Sequence, residues 1–160
     1  MARSDAAQQI IVSLRLEPLP HEGGYYRQTW CSEAGSAILF LVTPDAFSAL
    51  HRLGSTEVWH FHAGDGVEHV QLDPVKGDVR VTRLGGDILR GETPQCVVPG
   101  GVWQGARWAH ASDPTGSVGY ALLGCTMAPA WDEALFELGE RDALLGAFPA
   151  AANWIGALTR

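Results

Sequence analysis

The sequence predicts an all-β fold, an antiparallel sandwich or barrel with short helices at its two ends. Nineteen glycines and nine prolines in 160 residues indicate many turns between short elements. Segments rich in β-branched and aromatic residues recur along 25–127, with turn signals at intervals of about eight to twelve residues, which is typical of sandwiches and barrels. The length and the apolar fraction of 46% predict a single domain over 1–160.

Each end of the chain carries a predicted helix. Ser4 and Asp5 can cap a helix over about 4–14, and Pro18 prevents it from continuing. The tail over about 140–158 has apolar residues at helical spacing, interrupted by Pro149. The barrel occupies about 22–138, and its predicted strands are 25–30, 37–42, 47–53, 57–63, 67–72, 79–84, 95–98, 102–107 and 118–127.

Charge and hydropathy exclude two classes of partner. The net charge is −7 and Lys76 is the only lysine, so a phosphate backbone has little to bind and a nucleic-acid partner is excluded. The longest apolar run, 37–42, is too short to span a membrane, and the first residues lack a hydrophobic signal, so a cytoplasmic location is expected. Cys31, Cys96 and Cys125 lack metal-binding spacing and are interpreted as buried thiols.

Histidines concentrate in one part of the sequence. Four of the six lie within nineteen residues, and they are His51, His60, His62 and His69. Strand alternation over 57–63 places Glu57, Trp59 and Phe61 on one face and the histidines at 60 and 62 on the other. The remaining two, His21 and His110, lie in turn-rich contexts and are expected at the surface.

The facing of His60, His62 and His69 toward or away from the interior stays open. A three-residue loop at 64–66 would form a hairpin that places His62 opposite Glu68 as an outer-face pair. A two-residue loop would shift the register and change these pairings. His69 would face the interior only with the longer loop.

Two motifs in this region resemble those of the cupin superfamily. His51, Glu57 and Gly64 match the first histidine, the glutamate and the glycine of the first cupin motif. The second motif, Pro-x-Gly-x-x-His, is matched by 99–104 except that Gln104 ends it. Further phrases are similar to a small single-domain cupin family of largely unassigned function, and they are 22–27, 47–52, 57–61 and 136–139. The resemblance implies a jelly-roll β-barrel and a homodimer.

The departures from the cupin pattern fall on the metal ligands. Cupin metal sites take three imidazoles and a carboxylate, whereas Leu53 and Gln104 stand here where the second and third histidines would be. Two strong ligands remain, so no cofactor is expected. A divalent metal ion is the alternative, and the resemblance would then assign it to His51, Glu57 and Gln104.

A barrel without a metal ion still has a concave interior. If Glu57 faces inward, Trp59 and Phe61 do so too, and His51 lies on the neighbouring strand. Aromatic walls with a few polar groups are typical of small-molecule sites, so Trp59, Phe61 and Gln104 are expected to bind the ligand. Burial raises the pKa of a carboxyl group while a nearby imidazole lowers it, which suits acid–base chemistry near neutral pH.

The segment 24–28 is also similar to the ligand-gripping strand of dTDP-sugar 3,5-epimerases, which are metal-free cupins. By that resemblance His51 is the general base or acid, Glu57 its partner, and Tyr26 a binding or proton-donating group. Tyr26 and Gln28 would face the ligand, or alternatively Arg27 would do so together with its alternate neighbours at 25 and 29. Arg27 and Gln28 are therefore both expected ligand-binding residues.

Three functions follow from these features. The first is a cupin-fold small-molecule-binding protein that acts as a metal-independent isomerase or epimerase on a small carbohydrate-like or keto compound. The second is a non-catalytic ligand-binding or sensor protein. The third is a metal-dependent oxygenase or hydrolase with a degenerate site.

Overall fold

The structure is a computed structural model that describes residues 4–109 and 116–160. Within those ranges eleven strands and three α-helices form two antiparallel sheets with helices at both ends, which confirms the predicted fold class. The helices are α1 (Asp5–Leu14), α2 (Arg141–Ala147) and α3 (Ala152–Leu158). The strands are β1 (Glu17–Pro18), β2 (Tyr25–Ser32), β3 (Gly35–Val42), β4 (Ser48–Arg52), β5 (Glu57–Gly64), β6 (Val67–Leu72), β7 (Val79–Leu84), β8 (Gln95–Val98), β9 (Trp103–Trp108), β10 (Ala121–Met127) and β11 (Glu137–Leu138).

The chain passes from one sheet to the other several times. In the described residues the larger sheet has the order β1-β2-β3-β10-β5-β8, and the smaller has the order β11-β4-β9-β6-β7. Strands β4 and β5 therefore lie in opposite sheets although they follow one another in the chain. This arrangement brings the motif residues His51 and Glu57 to facing walls of one interior.

The predicted hairpin between β5 and β6 is wrong, because these strands also belong to different sheets. Asp65 holds the corner between them: its carboxylate accepts hydrogen bonds from the Trp108 indole at 2.9 Å and the Gly119 amide at 2.7 Å. His62 consequently does not face Glu68, whose carboxylate instead accepts a 2.8 Å hydrogen bond from Arg107 on β9.

The apolar core has two parts. Between the sheets, a cluster around Phe40, Trp59 and Leu123 fills the interior. On the far side of the smaller sheet, Leu50 of β4 packs with Ile155 and other residues of the C-terminal helices. Because neighbouring residues of a strand point to opposite faces, this outer packing turns His51 toward the interior.

Several residues lie outside this interior. The His60 imidazole is within 3.2 Å of Thr126 Oγ1 on the outer face of the larger sheet, and His62 is exposed on that face above Gly124. Cys96 and Cys125 are buried, but Cys31, near the end of β2, is exposed, so the interpretation of all three cysteines as buried thiols is wrong for Cys31.

Of the two histidines predicted at the surface, His21 is exposed, and His110 lies outside the described residues. None of the described helices is long and apolar enough to cross a membrane.

Candidate functional site

A cavity of about 560 Å³ opens between the two sheets. Its walls come from β2 to β5 and β10. Residues of the segments 19–22 and 131–136 also line it, and because both segments are at least partly exposed, we call them its mouth. Both His51 and Glu57 line it. The apolar part of its wall includes Ile38, Phe40, Leu53, Trp59, Met127 and Phe136. A mostly apolar hollow with a few converging polar groups is typical of a small-molecule site.

The His51 imidazole is buried, with 1% of its surface exposed, and its orientation is fixed. Nδ1 lies 2.7 Å from the Ala49 carbonyl oxygen, which can only accept a hydrogen bond, so Nδ1 carries the ring proton. Nε2, which carries the lone pair when the ring is neutral, lies 3.7 Å from Oε2 of Glu22. The Phe136 ring stacks on the imidazole with 5.6 Å between centroids. This geometry suits a proton acceptor whose cationic form is stabilised by Glu22.

Glu22 is a site residue that sequence analysis missed. It precedes β2 in the loop at the cavity mouth, where Ser48 Oγ donates a 2.7 Å hydrogen bond to its Oε1. The backbone of this loop is also held, because the Glu22 carbonyl accepts hydrogen bonds from the Ala49 amide at 2.9 Å and from Arg160 at 3.0 Å. Its place within the family-like phrase 22–27 was the signal that could have identified it.

The Glu57 carboxyl group is held on one of its two oxygens. Trp59 Nε1 donates to Oε2 at 3.0 Å, and Gln104 Nε2 donates to the same oxygen at 2.8 Å. The Gln104 carbonyl oxygen in turn accepts from Trp59 Nε1 at 2.8 Å, which fixes the amide. Oε1 takes part in none of these bonds, so it is the oxygen available for a proton and for a ligand in the cavity.

Burial raises the pKa of Glu57 from 4.5 to about 7. The positive charge of His51 opposes this rise, the negative charge of Glu22 adds to it, and the hydrogen bonds from Gln104 and Trp59 lower the pKa. Near neutral pH the group therefore exists in comparable protonated and ionised populations. A carboxyl group in this state can both give and take a proton.

The remaining predicted site residues divide into two groups. Tyr26 and Gln28 line the cavity, while Arg27 lies between them in β2, does not line it and is exposed. Phe61 packs against the interior cluster beside Gly86 and does not line the cavity, although it follows Trp59 on β5. Gln104 is 1% exposed and acts behind the wall through its bonds to Glu57 and Trp59.

His69 lies in the interior behind the cavity wall. Its ring meets the Trp59 indole edge-on at 4.8 Å, and Nδ1 is 3.8 Å from Cys96 Sγ. Among the buried side-chain atoms of the described residues, its Nε2 is the one without a hydrogen-bond partner. Burial lowers the pKa of His69 to about 4, so the ring is neutral at physiological pH. It packs against the indole that holds Glu57.

The donor set does not fit a cupin metal centre. His51 Nε2 and the carboxyl groups near it are the available donors, because Leu53 supplies none and the Gln104 amide is committed at both ends. In the described part of the chain no three His, Cys, Asp or Glu side chains are grouped so as to hold an ion. Cys125 lines the cavity, but burial raises the pKa of its thiol well above the ordinary value, which keeps it protonated.

Two antiparallel sheets that enclose an imidazole and a carboxyl group in one hollow place this protein among the cupins. The family model described as Cupin superfamily (DUF985) matches residues 8–139, and the chain belongs to that family. Among curated proteins, none matches this chain. The predicted membership of the cupin superfamily is confirmed, and the similarity to dTDP-sugar 3,5-epimerases stays a prediction.

Solved structures include two whole-chain relatives. A hypothetical protein from Leishmania major is 32% identical, with a TM-score of 0.87 over 96% of this chain and 98% of its own. A protein from Shewanella oneidensis is also 32% identical, with a TM-score of 0.85 over 100% of this chain and 99% of its own. Oxalate decarboxylase from Bacillus subtilis is 15% identical, with a TM-score of 0.58 over 89% of this chain and 37% of its own, and shares the fold alone.

Proposed function

We propose that this cupin binds a small carbohydrate-like or keto compound and acts on it as a metal-independent isomerase or epimerase. The observation that carries the proposal is the opening of His51 and Glu57 into one cavity, with Nδ1 of the imidazole bonded to the Ala49 carbonyl, so that Nε2 is the nitrogen free to exchange a proton, and with Oε1 of the carboxyl group outside the bonds from Trp59 and Gln104. These are the two groups that a proton transfer next to a carbonyl group requires.

The reaction needs one base and one acid. His51 Nε2 removes the proton from the carbon beside the carbonyl group, the electron pair of that C–H bond forms a C=C bond, and the π pair of the carbonyl group moves to its oxygen. Protonated Glu57 gives its proton to that oxygen, so an enol forms and no charge is left on the substrate. Glu22 stabilises the imidazolium that results. When the substrate bears a hydroxyl group next to the carbonyl group, His51 can return the proton to the former carbonyl carbon while the Glu57 carboxylate takes the proton of the neighbouring hydroxyl group, which gives an isomer. Delivery of a proton by Tyr26 to the opposite face of the original carbon, with return of the enol proton to Glu57 and of the His51 proton to the phenolate through solvent, gives an epimer.

Hydrogen exchange with solvent tests this chemistry without knowledge of the product. Incubation in D₂O with D-fructose and dihydroxyacetone is expected to place deuterium on the carbon beside the carbonyl group, measured by proton NMR. His51→Ala should lower the exchange rate by about 10²–10⁴-fold, the usual contribution of a general base. The matched control His62→Ala, on the outer face, should leave the rate unchanged.

Two outcomes of the exchange experiment would contradict the proposal. If these or related sugars raise the melting temperature of the protein but none exchanges hydrogen, the cavity is a binding site without turnover. Equal exchange rates in the wild type and in folded His51→Ala would also remove His51 from the reaction.

The proposal also excludes a required metal ion. Protein purified without chelator should contain less than about a tenth of an equivalent of any transition metal, and EDTA should leave the exchange rate unchanged. Stoichiometric metal, or activity lost on EDTA treatment and restored by an added ion, would instead favour the metal-dependent oxygenase or hydrolase.

We further propose that the protein is a homodimer, as the family resemblance implies. Sedimentation equilibrium should give twice the monomer mass of 17.2 kDa. A monomer at all concentrations tested would contradict this.

A further inference from the structure

The described side chains that line the cavity include several carboxyl groups but neither lysine nor arginine. Among the described residues, three carboxyl groups line it, those of Glu22, Glu57 and Glu133, and no lysine or arginine does. The other titratable side chains in its lining are those of His21, His51, Tyr26 and Cys125. His21 is exposed at the mouth, and His51 is placed to accept a proton. The cavity therefore offers acceptors and negative charge but no permanent cation.

Two arginines that contact or adjoin lining residues have their guanidinium groups bound elsewhere. Arg160 donates through Nη1 to the backbone carbonyls of His21 and Glu22 and lies over the Phe47 ring, 4.7 Å from its centroid. Arg52 pairs with Glu137 and covers the Trp103 ring on the outer face of the smaller sheet. These groups are not available to neutralise an anionic ligand in the cavity.

Aromatic rings make up much of the remaining wall. The rings that line the cavity are those of Tyr26, Phe40, Trp59, Trp131 and Phe136. Trp131 stands at the mouth, partly exposed, in the same segment as Glu133. The negative faces of aromatic rings attract cations, and carboxylates beside them add to this attraction. Such a wall disfavours phosphates and carboxylates, because its described residues hold carboxyl groups and no lysine or arginine to compensate their charge.

We propose that the substrate of this site carries a positive charge: it is an amine-bearing, carbohydrate-like compound whose ammonium group is held by the carboxylates at the mouth and the aromatic rings beside them. The inference rests on the proposed function and names its substrate class. It excludes sugar nucleotides and sugar acids, and so separates this site from the substrates of the dTDP-sugar epimerases that segment 24–28 resembles.

Three probes that differ only at carbon 6 test the charge preference: 6-amino-6-deoxy-D-glucose, D-glucose and D-glucuronate. Binding to the full chain is measured by calorimetry at low ionic strength. The amine should bind about tenfold more tightly than glucose, and glucuronate more weakly than either. The preference for the amine should shrink in high salt, which screens charges at an open mouth. Glucuronate binding as tightly as the amine, or no amine binding at tens of millimolar, would overturn the inference.

One carboxyl group provides a mild variant. Glu133→Gln should reduce the preference for the amine over glucose by about threefold, since it removes one exposed charge from the mouth. Glu140→Gln removes an exposed charge that does not line the cavity and should leave the preference unchanged. Both variants should have the same melting temperature as the wild type. An unchanged preference in Glu133→Gln would show that its carboxylate does not hold the ammonium group.

This experiment and the exchange assay fail independently. Binding selectivity is an equilibrium property, so a preference for the amine without hydrogen exchange would keep the substrate charge and remove the isomerase chemistry. Exchange of neutral sugars together with tight glucuronate binding would keep the chemistry and remove the charge selectivity.

Discussion

At the scale of single residues, Glu57 makes the stability of the protein depend on pH. Its carboxyl group has a pKa of 4.5 when unfolded and about 7 when folded, because burial disfavours the charge. Between these pH values the folded protein holds a proton that the unfolded chain releases, so its contribution to stability falls as pH rises and levels off above 7. The total loss is roughly 3 kcal/mol, at about 1.36 kcal/mol for each tenfold change in proton affinity.

Glu57→Gln should remove this dependence. The free energy of unfolding of the variant, minus that of the wild type, is expected to increase by roughly 3 kcal/mol between pH 4.5 and 8 in urea titrations. The control Glu140→Gln, at an exposed position, should differ from the wild type by a constant amount. A difference for Glu57→Gln that does not change with pH would contradict the raised pKa.

His69 should act in the opposite direction over nearly the same range. Burial lowers the pKa of this imidazole from 6.5 to about 4, so the unfolded chain takes up a proton there that the folded protein refuses. Its contribution to stability is present above pH 6.5 and is lost as pH falls toward 4. His69→Phe should therefore make unfolding less sensitive to acid, as measured by the midpoint in urea at pH 4.5 and 7. If both midpoints shift equally, the prediction fails.

Residue identities predicted part of the site. Alternation along β5 correctly placed Glu57 and Trp59 together, because each consecutive pair of residues must point to opposite faces. Alternation along β2 shows that Tyr26 and Arg27 point to opposite faces, but it does not show which face points into the interior. That depends on the layer packed against the strand, which the local sequence does not indicate. Glu22 pairs with His51 because its loop packs against β4, which is far from it in the sequence. No local sequence pattern predicts a contact of this kind.

At the scale of elements, the corner at the end of β5 decides which sheet the chain enters. Gly64 there has φ +93°, a conformation that side chains rarely adopt, and a Cβ would lie 2.3 Å from the Tyr120 carbonyl oxygen. The residues of segment 64–66 also fit a hairpin turn, because its glycines suit both outcomes. The contacts of Asp65 with residues far along the chain, such as Trp108, are what select the crossover.

Gly64→Ala should destabilise the protein by more than a glycine substitution at a positive φ alone. Strain at positive φ costs about 1 kcal/mol, and the backbone clash adds about 1–3 kcal/mol more. Gly77→Ala is the matched control: its φ is +73°, but nothing lies within 4 Å of a Cβ, so only the first cost applies. The measurement is the free energy of unfolding of each variant. Equal losses would show that the corner tolerates a side chain.

At the scale of the whole molecule, nine of the eleven strands of the described residues could be predicted, all but the two-residue strands β1 and β11, whereas the distribution of strands between the sheets could not. Turn signals mark where strands end, and the predicted segments 67–72 and 79–84 coincide with β6 and β7. The pairing of β10 with both β3 and β5 joins segments far apart in the sequence. Only the resemblance to cupins indicated such a topology, and the local residues did not.

The C-terminal helices should be part of this cooperative unit and support the site from behind. Ile155 of α3 is fully buried against Leu50, the neighbour of His51 in β4, and Arg141 of α2 donates a 2.8 Å hydrogen bond to Thr159 just beyond α3. Removing buried side-chain volume from Ile155 leaves a cavity that these neighbours cannot refill.

Ile155→Ala should therefore lower the free energy of unfolding by about 2–5 kcal/mol, in a single transition that includes the barrel. The matched control Val12→Ala, on a side chain 67% exposed in α1, should change it by no more than about 0.5 kcal/mol. Far-ultraviolet circular dichroism and indole fluorescence should follow the same urea curve. If the helices melt first while the fluorescence of the barrel tryptophans stays native, α2 and α3 are a separate layer, and the position of His51 does not depend on them.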